Sequence, residues 1–381
     1  MKTDCVIVIP ALNPPAGLSG YVEELRESGF EHILIINDGS RTDKLPVFLR
    51  AQRAGALILT HEGNKGQGAA LKTGFVYYLE HFQGKTDGII ALSADRPLPV
   101  EEVQKVASSL HNEQKMGSYA VVLGCRNFAD RRVTDYDYRM NSATKLCYHM
   151  LMGVHLEDPM TTTIGLPDLR VRQAVDIAGE GFEYNTALLM SFEKIGFLQV
   201  PVSYSLDLPD VERTRKKRDT SRIIFTLIRK FVLYSVTSLS ASLIDIIFFS
   251  IFTTWTFRGI PLAILYSTIS ARVISASVNY ILTKHFVFHF KSNKADKAAK
   301  SAGGFMILTA TQCLLSALLV SLLKMVLGGS ATGFKVFVDL FLFFVSYKVQ
   351  HKYIFKDDAK KKDPVLESLN ADEKKSGYGG E

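Results

Sequence analysis

Residues 32–43 read HILIINDGSRTD, a run of apolar residues that stops at an acidic turn containing a glycine. A continuous apolar run of this length is typical of a strand that is buried on both faces of its sheet. Similar runs alternate with helix-like segments, which predicts a parallel sheet covered by helices, that is, an α/β domain. The predicted strands cover residues 5–9, 32–36, 56–59, 88–92, 120–123 and 199–205, and the predicted helices cover 19–28, 68–82, 100–110, 142–152 and 184–195.

Polar motifs follow predicted strands of this domain. In a parallel sheet the carboxyl ends of the strands lie at one edge, and ligands bind there. One motif is rich in glycine and opens a helix, but it lacks the GK[ST] ending of a P-loop. Each motif alone is a weak signal, whereas their order makes this edge the predicted functional site. The motifs are IPALNPP (9–15), INDGSRTD (36–43), EGNKGQGAALKTGF (62–75) and ALSADRPLP (91–99).

The second half of the chain is much more apolar than the first. Segments at about 231–255, 260–282, 303–323 and 327–347 are long enough to cross a hydrocarbon core of about 30 Å as helices. The loops on one side of these segments contain 19 lysines and arginines, and those on the other side contain three. Because positively charged loops stay in the cytoplasm, we expect a multi-pass protein of the cell membrane with both termini and the α/β domain in the cytoplasm.

An internal repeat relates two parts of the apolar half. SVNYILTKHFVF (277–288) and FVSYKVQHKYIF (344–355) share aromatic and basic positions at an offset of 67 residues, and the same offset superimposes Arg272 on Asp339. An ionisable side chain inside a membrane is costly and usually faces a partner. We therefore expect Arg272 to pair with Asp339 or Asp245, either as a structural ion pair or as part of a site for a lipid phosphate.

The composition divides the chain into four parts. These are an α/β domain (1–206), a basic juxtamembrane segment (207–230), a helical membrane domain (231–355) and a polar tail (356–381) that we expect to be disordered. The four cysteines have no CxxC spacing, which disfavours a zinc site or a disulfide framework. The chain carries a net charge of +7, but its basic run adjoins an apolar span, so we predict a membrane surface as its partner and no nucleic acid.

Taken together and in this order, the motifs resemble the donor domain of family 2 glycosyltransferases, which have the Rossmann-like GT-A fold. The similarity is greatest to the branch of polyprenyl-phosphate and dolichol-phosphate sugar synthases, whose patterns run PAYNE, DDGS, NxGxGxA, DAD and GxR. GCRNFADRR (124–132) matches the last of these, while LEDPMTTTIG (156–165) and GEGFEYN (179–185) match two later family segments. The helical half resembles the GtrA-type membrane domain with four transmembrane helices.

The resemblance implies an inverting enzyme that moves a sugar from a nucleotide-diphosphate sugar to an undecaprenyl-type or dolichyl-type phosphate, as in cell-wall or glycan biosynthesis. An acceptor phosphate is already ionised at pH 7, so it needs positioning and neutralisation of charge instead of a strong base. Asp95, Asp158 and Arg126 would be catalytic. The donor would contact Pro10, Ala11, Asn13, Asp38, Gly39, Ser40, Asn64, Gly66, Gly68, Ser93, Ala94 and Asp95, and the acceptor phosphate would contact Arg126, Arg131, Arg132, Arg139, Arg213, Arg215, Arg218 and Arg222.

The predicted metal site departs from the family pattern. The family's DAD is Ser93-Ala94-Asp95 here, and Pro97 stands where a glutamine often helps to bind metal. Divalent cations such as Mg²⁺ and Mn²⁺ prefer carboxylate oxygens, so the site is weakened, with Asp95 as the metal ligand. Arg96 would either replace part of the metal charge at the diphosphate or pair with Asp95.

Two functions stay open on the sequence. The first is a membrane-bound, metal-assisted glycosyltransferase. The second is a domain that binds a nucleotide sugar without transferring it and that regulates, or couples to, lipid-linked sugar binding or flipping by the membrane helices. The altered stretch 93–97 is the sequence feature that discriminates between these two functions, because it would weaken the metal site that transfer uses. Either function is compatible with a homo-oligomer.

Overall fold

The computed structural model describes residues 4–95, 97–127, 135–193, 195–203, 217–261, 263–287, 295–328 and 331–355. The chain forms two compact units, one reaching to Leu227 and one beginning at Ile228. Residues 207–216 of the predicted juxtamembrane segment and the predicted disordered tail lie outside the described residues.

A mixed β-sheet forms the centre of the first unit. Its strands lie in the order β3-β2-β1-β4-β6-β5-β7, and each neighbouring pair is parallel except those made by β6. The central strands are fully buried, as their apolar runs require, since helices cover both faces. Within the described residues the strands are β1 (Cys5–Ala11), β2 (His32–Asn37), β3 (Leu57–Thr60), β4 (Gly88–Ala91), β5 (Val121–Arg126), β6 (Ile164–Pro167) and β7 (Phe197–Val202).

The predicted α/β class is confirmed, but the prediction of an all-parallel sheet is wrong. The antiparallel strand β6 lies between β4 and β5 and was not predicted, because its four residues include a glycine and a proline. Two short helices, α2 and α6, were also missed. The helices of this unit are α1 (Leu18–Glu27), α2 (Leu45–Arg53), α3 (Gln67–His81), α4 (Val100–Lys115), α5 (Asp135–Met152), α6 (Asp168–Val175) and α7 (Glu183–Phe192).

Long helices make up the second unit. They are α8 (Lys217–Ile251), which begins in the first unit, α9 (Ala263–Leu282), α10 (Ala295–Leu327) and α11 (Ala331–Val349). Three of them continue into π-helical turns, which we name π1 (Phe252–Thr256), π2 (Thr283–Val287) and π3 (Gln350–Ile354). Among the described residues, one helical segment, Phe231–Thr256, is long and apolar enough to cross a membrane. The four-span arrangement stays a prediction.

The repeat expected from the sequence is also present in the backbone. Turn π2 begins at Thr283 and turn π3 begins at Gln350, which is the predicted offset of 67 residues. Each turn directly continues the helix that contains its copy of the repeat. The two halves of the repeat therefore adopt the same irregular local structure.

The ionisable residues of the apolar half find partners. Arg272 contacts Asp245, with 3.3 Å between Nη2 and Oδ2, and the Ser275 hydroxyl donates to Oδ1 of the same carboxylate at 2.8 Å. Asp339 instead accepts a hydrogen bond from the Ser316 hydroxyl. Of the two acidic partners proposed for Arg272, the structure therefore selects Asp245.

Candidate active site

The strand ends bring the polar motifs together at one edge of the sheet, as the sequence predicts. The Asp38 amide donates to the carbonyl of Ala11 at the end of β1, over 2.9 Å. The His61 amide donates to the carbonyl of Asn37 at the end of β2, also over 2.9 Å. At the end of β4, the Leu92 amide donates to a carbonyl of β1. The motifs therefore form adjoining loops.

Asp38 holds the glycine-rich motif in place. Its carboxylate is only 3% exposed, and it accepts hydrogen bonds from the amides of Lys65 (2.9 Å to Oδ1) and Gly66 (2.8 Å to Oδ2). Charge-assisted bonds of this kind are about twice as strong as neutral ones. These two amides are therefore occupied by Asp38, so the turn is not an open phosphate cradle. The predicted contact of Asp38 with the nucleotide stays a prediction.

His61 extends this network, although it was not predicted as a site residue. Its Nδ1 lies 2.8 Å from Oδ1 of Asp38 and its Nε2 lies 2.9 Å from the Thr73 hydroxyl. The imidazole is buried, and because a carboxylate only accepts hydrogen bonds, Nδ1 donates to Asp38. The only sequence signal for His61 was its position directly after a predicted strand end.

Asn13 and Ser40 join the first motif to the second. The Asn13 amide donates to the Ser40 hydroxyl at 2.9 Å, and the Arg41 amide donates back to Oδ1 of Asn13 at 2.9 Å. Asn13 has a φ of +53°, which asparagine tolerates better than most residues. The adjacent Gly39, at φ +69°, approaches Gly63 so closely that a Cβ would lie 2.3 Å from a backbone carbon. This corner of the site is thus fixed by the backbone.

The glycines at the start of α3 allow close packing against residues 179–184. The Ala69 amide in the first turn of the helix donates to the Glu180 carbonyl at 3.0 Å. A Cβ on Gly66 would lie 2.4 Å from that carbonyl oxygen, and one on Gly68 would lie 2.5 Å from the Cβ of Tyr184. The segment that resembles the family's FEY region therefore packs directly against the start of α3. The donor contacts predicted for Asn64, Gly66 and Gly68 stay predictions.

Gly68→Ala is expected to destabilise the protein by about 1–3 kcal/mol, because the new methyl group overlaps the backbone-proximal atoms of Tyr184. Gly63→Ala is the matched control in the same motif, since a Cβ there meets no atom within 4 Å and the change should alter stability by less than about 0.5 kcal/mol. Thermal unfolding of the full-length protein in detergent would compare them. Equal melting temperatures would contradict the close packing.

Ser93, Ala94 and Asp95 follow β4 next to the end of β1. Ala94 is buried, whereas Ser93 and Asp95 are half-buried. The side chains of Ser93 and Asp95 therefore partly reach the surface of the site. No cluster of three or more histidine, cysteine, aspartate or glutamate side chains that could hold a metal ion occurs in the part of the chain that the structure describes. Asp95 would supply one carboxylate ligand to a divalent cation, and the other ligands would have to come from the donor phosphates or water. Arg96 lies outside the described residues.

Arg126 and Asp158 form a two-pronged ion pair at the end of β5. Arg126 donates from Nε to Oδ2 at 2.6 Å and from Nη2 to Oδ1 at 2.9 Å, and its backbone amide also donates to Oδ2. Asp158 is 0% exposed. Since β6 separates β4 from β5, the strands that lead to Asp95 and to Arg126 are two strand spacings, or about 10 Å, apart. Asp158 thus orients the guanidinium instead of facing solvent itself.

Several ionisable groups of the first unit have shifted pKa values. Burial, followed by the negative charge of Asp158, raises the pKa of the Cys125 thiol to about 12, so this cysteine is not a nucleophile. A hydrogen bond from Lys145 lowers the pKa of the exposed Glu157. Burial works against the ionised form of Glu183, but backbone amides, first that of Gly181, hold its pKa below the ordinary value.

The remaining predicted acceptor residues are only partly described. Arg139 on α5 and Arg222 on α8 are exposed. Arg131, Arg132, Arg213 and Arg215 lie outside the described residues, as does the side chain of Arg218.

On the donor side, Pro10 is half-buried at the end of β1, beside the Asn13 corner. The structure therefore brings Asn13, Asp38, Ser40 and the glycine-rich motif into one network.

Both units resemble known proteins. Residues 6–158 match the family described as Glycosyl transferase family 2, and residues 233–355 match the GtrA/DPMS transmembrane domain. An uncharacterised protein of Methanocaldococcus jannaschii is 27% identical over 125 residues, which are 33% of this chain and 47% of the relative. The match thus spans about half the length of this relative.

Among solved structures, the chain is similar to glucosyl-3-phosphoglycerate synthase of Mycobacterium tuberculosis, with a TM-score of 0.45 and 16% identity over 59% of this chain and 79% of that one. Another is mannosyl-3-phosphoglycerate synthase of Rubrobacter xylanophilus, with a TM-score of 0.45 and 16% identity over 60% and 72% of the two chains. The mycobacterial enzyme has also been solved with Mg²⁺ and uridine diphosphate. The two family matches establish that this chain carries a glycosyltransferase family 2 domain followed by a C-terminal GtrA/DPMS domain.

Proposed function

We propose that the protein is a membrane-bound glycosyltransferase that moves a sugar from a nucleotide-diphosphate sugar to a polyprenyl phosphate on the cytoplasmic leaflet, with inversion. The observation that carries the proposal is the single hydrogen-bonded network that joins the loops after β1, β2 and β3 in a family 2 domain. A GtrA/DPMS domain in the same chain supports a lipid-linked acceptor.

The arrangement of charged groups suits transfer between two phosphates. The strands β4 and β5, which lead to the Asp95 loop and to Arg126, are about 10 Å apart with one strand between them, a spacing that is enough for one sugar ring. In this proposal Asp95 lies at the donor diphosphate and Arg126 at the acceptor phosphate. Asp158 holds the guanidinium in a fixed orientation, so that little order has to be gained when the acceptor binds.

A divalent cation would be held by Asp95 together with the donor phosphates, and Ser93 would offer it a hydroxyl. Bound there, Mg²⁺ or Mn²⁺ would neutralise the charge that develops on the leaving diphosphate. The chain's own part is to place Asp95 beside the end of β1, at the edge where the other loops converge.

The direct test is turnover. Membranes containing the full-length protein are incubated with labelled UDP-, GDP- and dTDP-sugars and with undecaprenyl or dolichyl phosphate, with and without Mn²⁺. We expect a radiolabelled glycolipid with one of these donors, and its absence with all of them would count against transfer. Protein-free membranes are the control.

The altered metal motif, which has lost one carboxylate, favours a second candidate function, in which the domain binds the donor without transferring its sugar. Ser93 replaces a carboxylate, and no three-ligand cluster is present among the described residues. Thermal stabilisation by a nucleotide sugar, equal with and without Mn²⁺ and without any turnover, would support this candidate over the enzyme.

A further inference from the structure

The turns π2 and π3 carry similar side chains, with the lysine and the histidine in opposite order. Each follows a tyrosine, Tyr280 or Tyr347, by three residues. Each contains a lysine and a histidine side by side, followed by an aromatic residue, Phe286 or Tyr353. π-Helical turns are rare and are frequent at functional sites, so a pair at one repeat offset calls for a common explanation.

Both turns lie at the same end of the helical unit, because both are tied to neighbouring residues of α8. The Thr237 and Thr283 hydroxyls at the start of π2 are 3.4 Å apart. At the start of π3, the Gln350 side-chain amide donates to the Tyr234 hydroxyl over 3.1 Å. Tyr234 and Thr237 are one helical turn apart near the start of the apolar segment, so this end is where that segment begins.

An aromatic cluster also joins the two turns. The rings of Tyr280, which precedes π2, and Phe355, which follows π3, stack with 5.7 Å between their centroids. Phe305 of α10 packs edge-on against Tyr280 at 5.6 Å. The ammonium group of Lys284 lies 5.8 Å from the centre of the Tyr280 ring. Lys284 therefore contacts the aromatic cluster to which both turns contribute.

Each turn buries its first residue and exposes its aromatic one. Thr283 and Gln350 are buried, whereas Phe286 is 59% exposed and Tyr353 is 66% exposed. Lys352 lies over the Tyr353 ring at 5.3 Å, as Lys284 lies over Tyr280. Aromatic side chains next to lysines are typical of the level of lipid headgroups, where the ring is half in the apolar layer and the cation meets phosphate.

The opposite end of the apolar segment differs. It lies about 28 Å away, since 19 residues separate Thr237 from Thr256. The described residues 252–261 contain one cation, Arg258. The two ends therefore differ in charge over a distance close to the thickness of a hydrocarbon core.

We propose that π2 and π3 form a paired binding site for the headgroups of anionic lipids, with Lys284 and Lys352 contacting phosphate and Phe286 and Tyr353 entering the interface. The proposal rests on the membrane location in the proposed function, but it does not depend on sugar transfer. The repeat places one lysine and one exposed aromatic residue in each half of the site, so a bilayer surface with negative charge complements both.

The test measures the melting temperature of the full-length protein in neutral detergent with added phosphatidylglycerol or phosphatidylcholine. We expect phosphatidylglycerol to raise the melting temperature by several degrees more than phosphatidylcholine does. The double variant Lys284→Gln/Lys352→Gln should lose most of this difference, and Lys284→Arg/Lys352→Arg should retain it. The control Arg258→Gln, an exposed cation at the other end, should behave as the wild type.

Several results would overturn the site. These are a wild type that does not distinguish the two lipids, a glutamine variant that still does, or an equal loss in Arg258→Gln. Stabilisation by inorganic phosphate as strong as that by phosphatidylglycerol would also contradict a lipid site. If the glutamine variant is unstable without lipid, loss of the lipid effect in the well-folded arginine variant would overturn the proposal. Failure of the transfer assay leaves all of these readouts intact.

Discussion

Replacing Asp95 with alanine is expected to lower kcat/KM for sugar transfer by about 100-fold or more, the usual cost of removing one group that stabilises charge on a leaving oxyanion. Asp95 follows β4 at the loop edge, and it is the one carboxylate left in the altered metal motif. The measurement is the initial rate with full-length protein in detergent, using the donor that gives turnover in the screen.

Two further variants make this result specific. Asp43→Ala removes an exposed carboxylate that pairs with Arg41 at 3.4 Å, and it should leave the rate unchanged. Ser93→Asp restores the first carboxylate of the family's DAD motif, so activity should be kept and the Mn²⁺ concentration for half-maximal rate should fall. An Asp95→Ala protein with the full rate would show that the diphosphate does not bind where we place it.

Asp95→Ala also separates the two candidate functions. In the enzyme, the variant loses turnover and any dependence on metal together. In a domain that only binds the donor, neither the wild type nor Asp95→Ala turns over. The thermal shift caused by a nucleotide sugar is then smaller in the variant only if Asp95 contacts that nucleotide sugar.

Much of the first unit could be predicted because buried strands have a strong local signal. The runs at β1, β2 and β4 are continuous, apolar and followed by polar turns, and each predicted strand ends within two residues of the observed one. β6 has no such signal: IGLP is short, and its burial comes from the strands on either side. The helix α2 was missed because Pro46 reads as a break, although proline fits the first turn of a helix.

The site was predictable to the level of its motifs and not beyond. The ends of the predicted strands indicated which loops meet, because the carboxyl ends of parallel strands lie at one edge of the sheet. The partners of Asp38 were not predictable, since two are backbone amides that carry no residue identity. Likewise, the ion pair between Arg126 and Asp158 joins residues 32 positions apart, and no sequence pattern predicts that they contact each other. In the helical unit the repeat could be predicted because aromatic and basic residues recur at a constant offset of 67 positions in the sequence.

Asp38→Ala is expected to lower the free energy of unfolding by about 3–5 kcal/mol, because it leaves the His61 imidazole and the amides of Lys65 and Gly66 without their shared acceptor. At this size the loss corresponds to a decrease of roughly 6–20 °C in the melting temperature of the unit. Asp43→Ala is again the matched control, since its carboxylate is exposed, and it should shift stability by less than about 0.5 kcal/mol.

Hydrogen exchange would then locate the damage in the Asp38 variant. Because Asp38 is the acceptor for the glycine-rich motif, the peptide covering residues 62–75 should exchange faster in Asp38→Ala, while the strand β5 should be unaffected. Asp38→Asn should fall between the two, since the amide keeps one acceptor oxygen but turns an NH₂ group toward donors. If Asp38→Ala melted like the control, the network would not be what holds this motif, and the carboxylate would be available for the direct contact with nucleotide that the family resemblance implies.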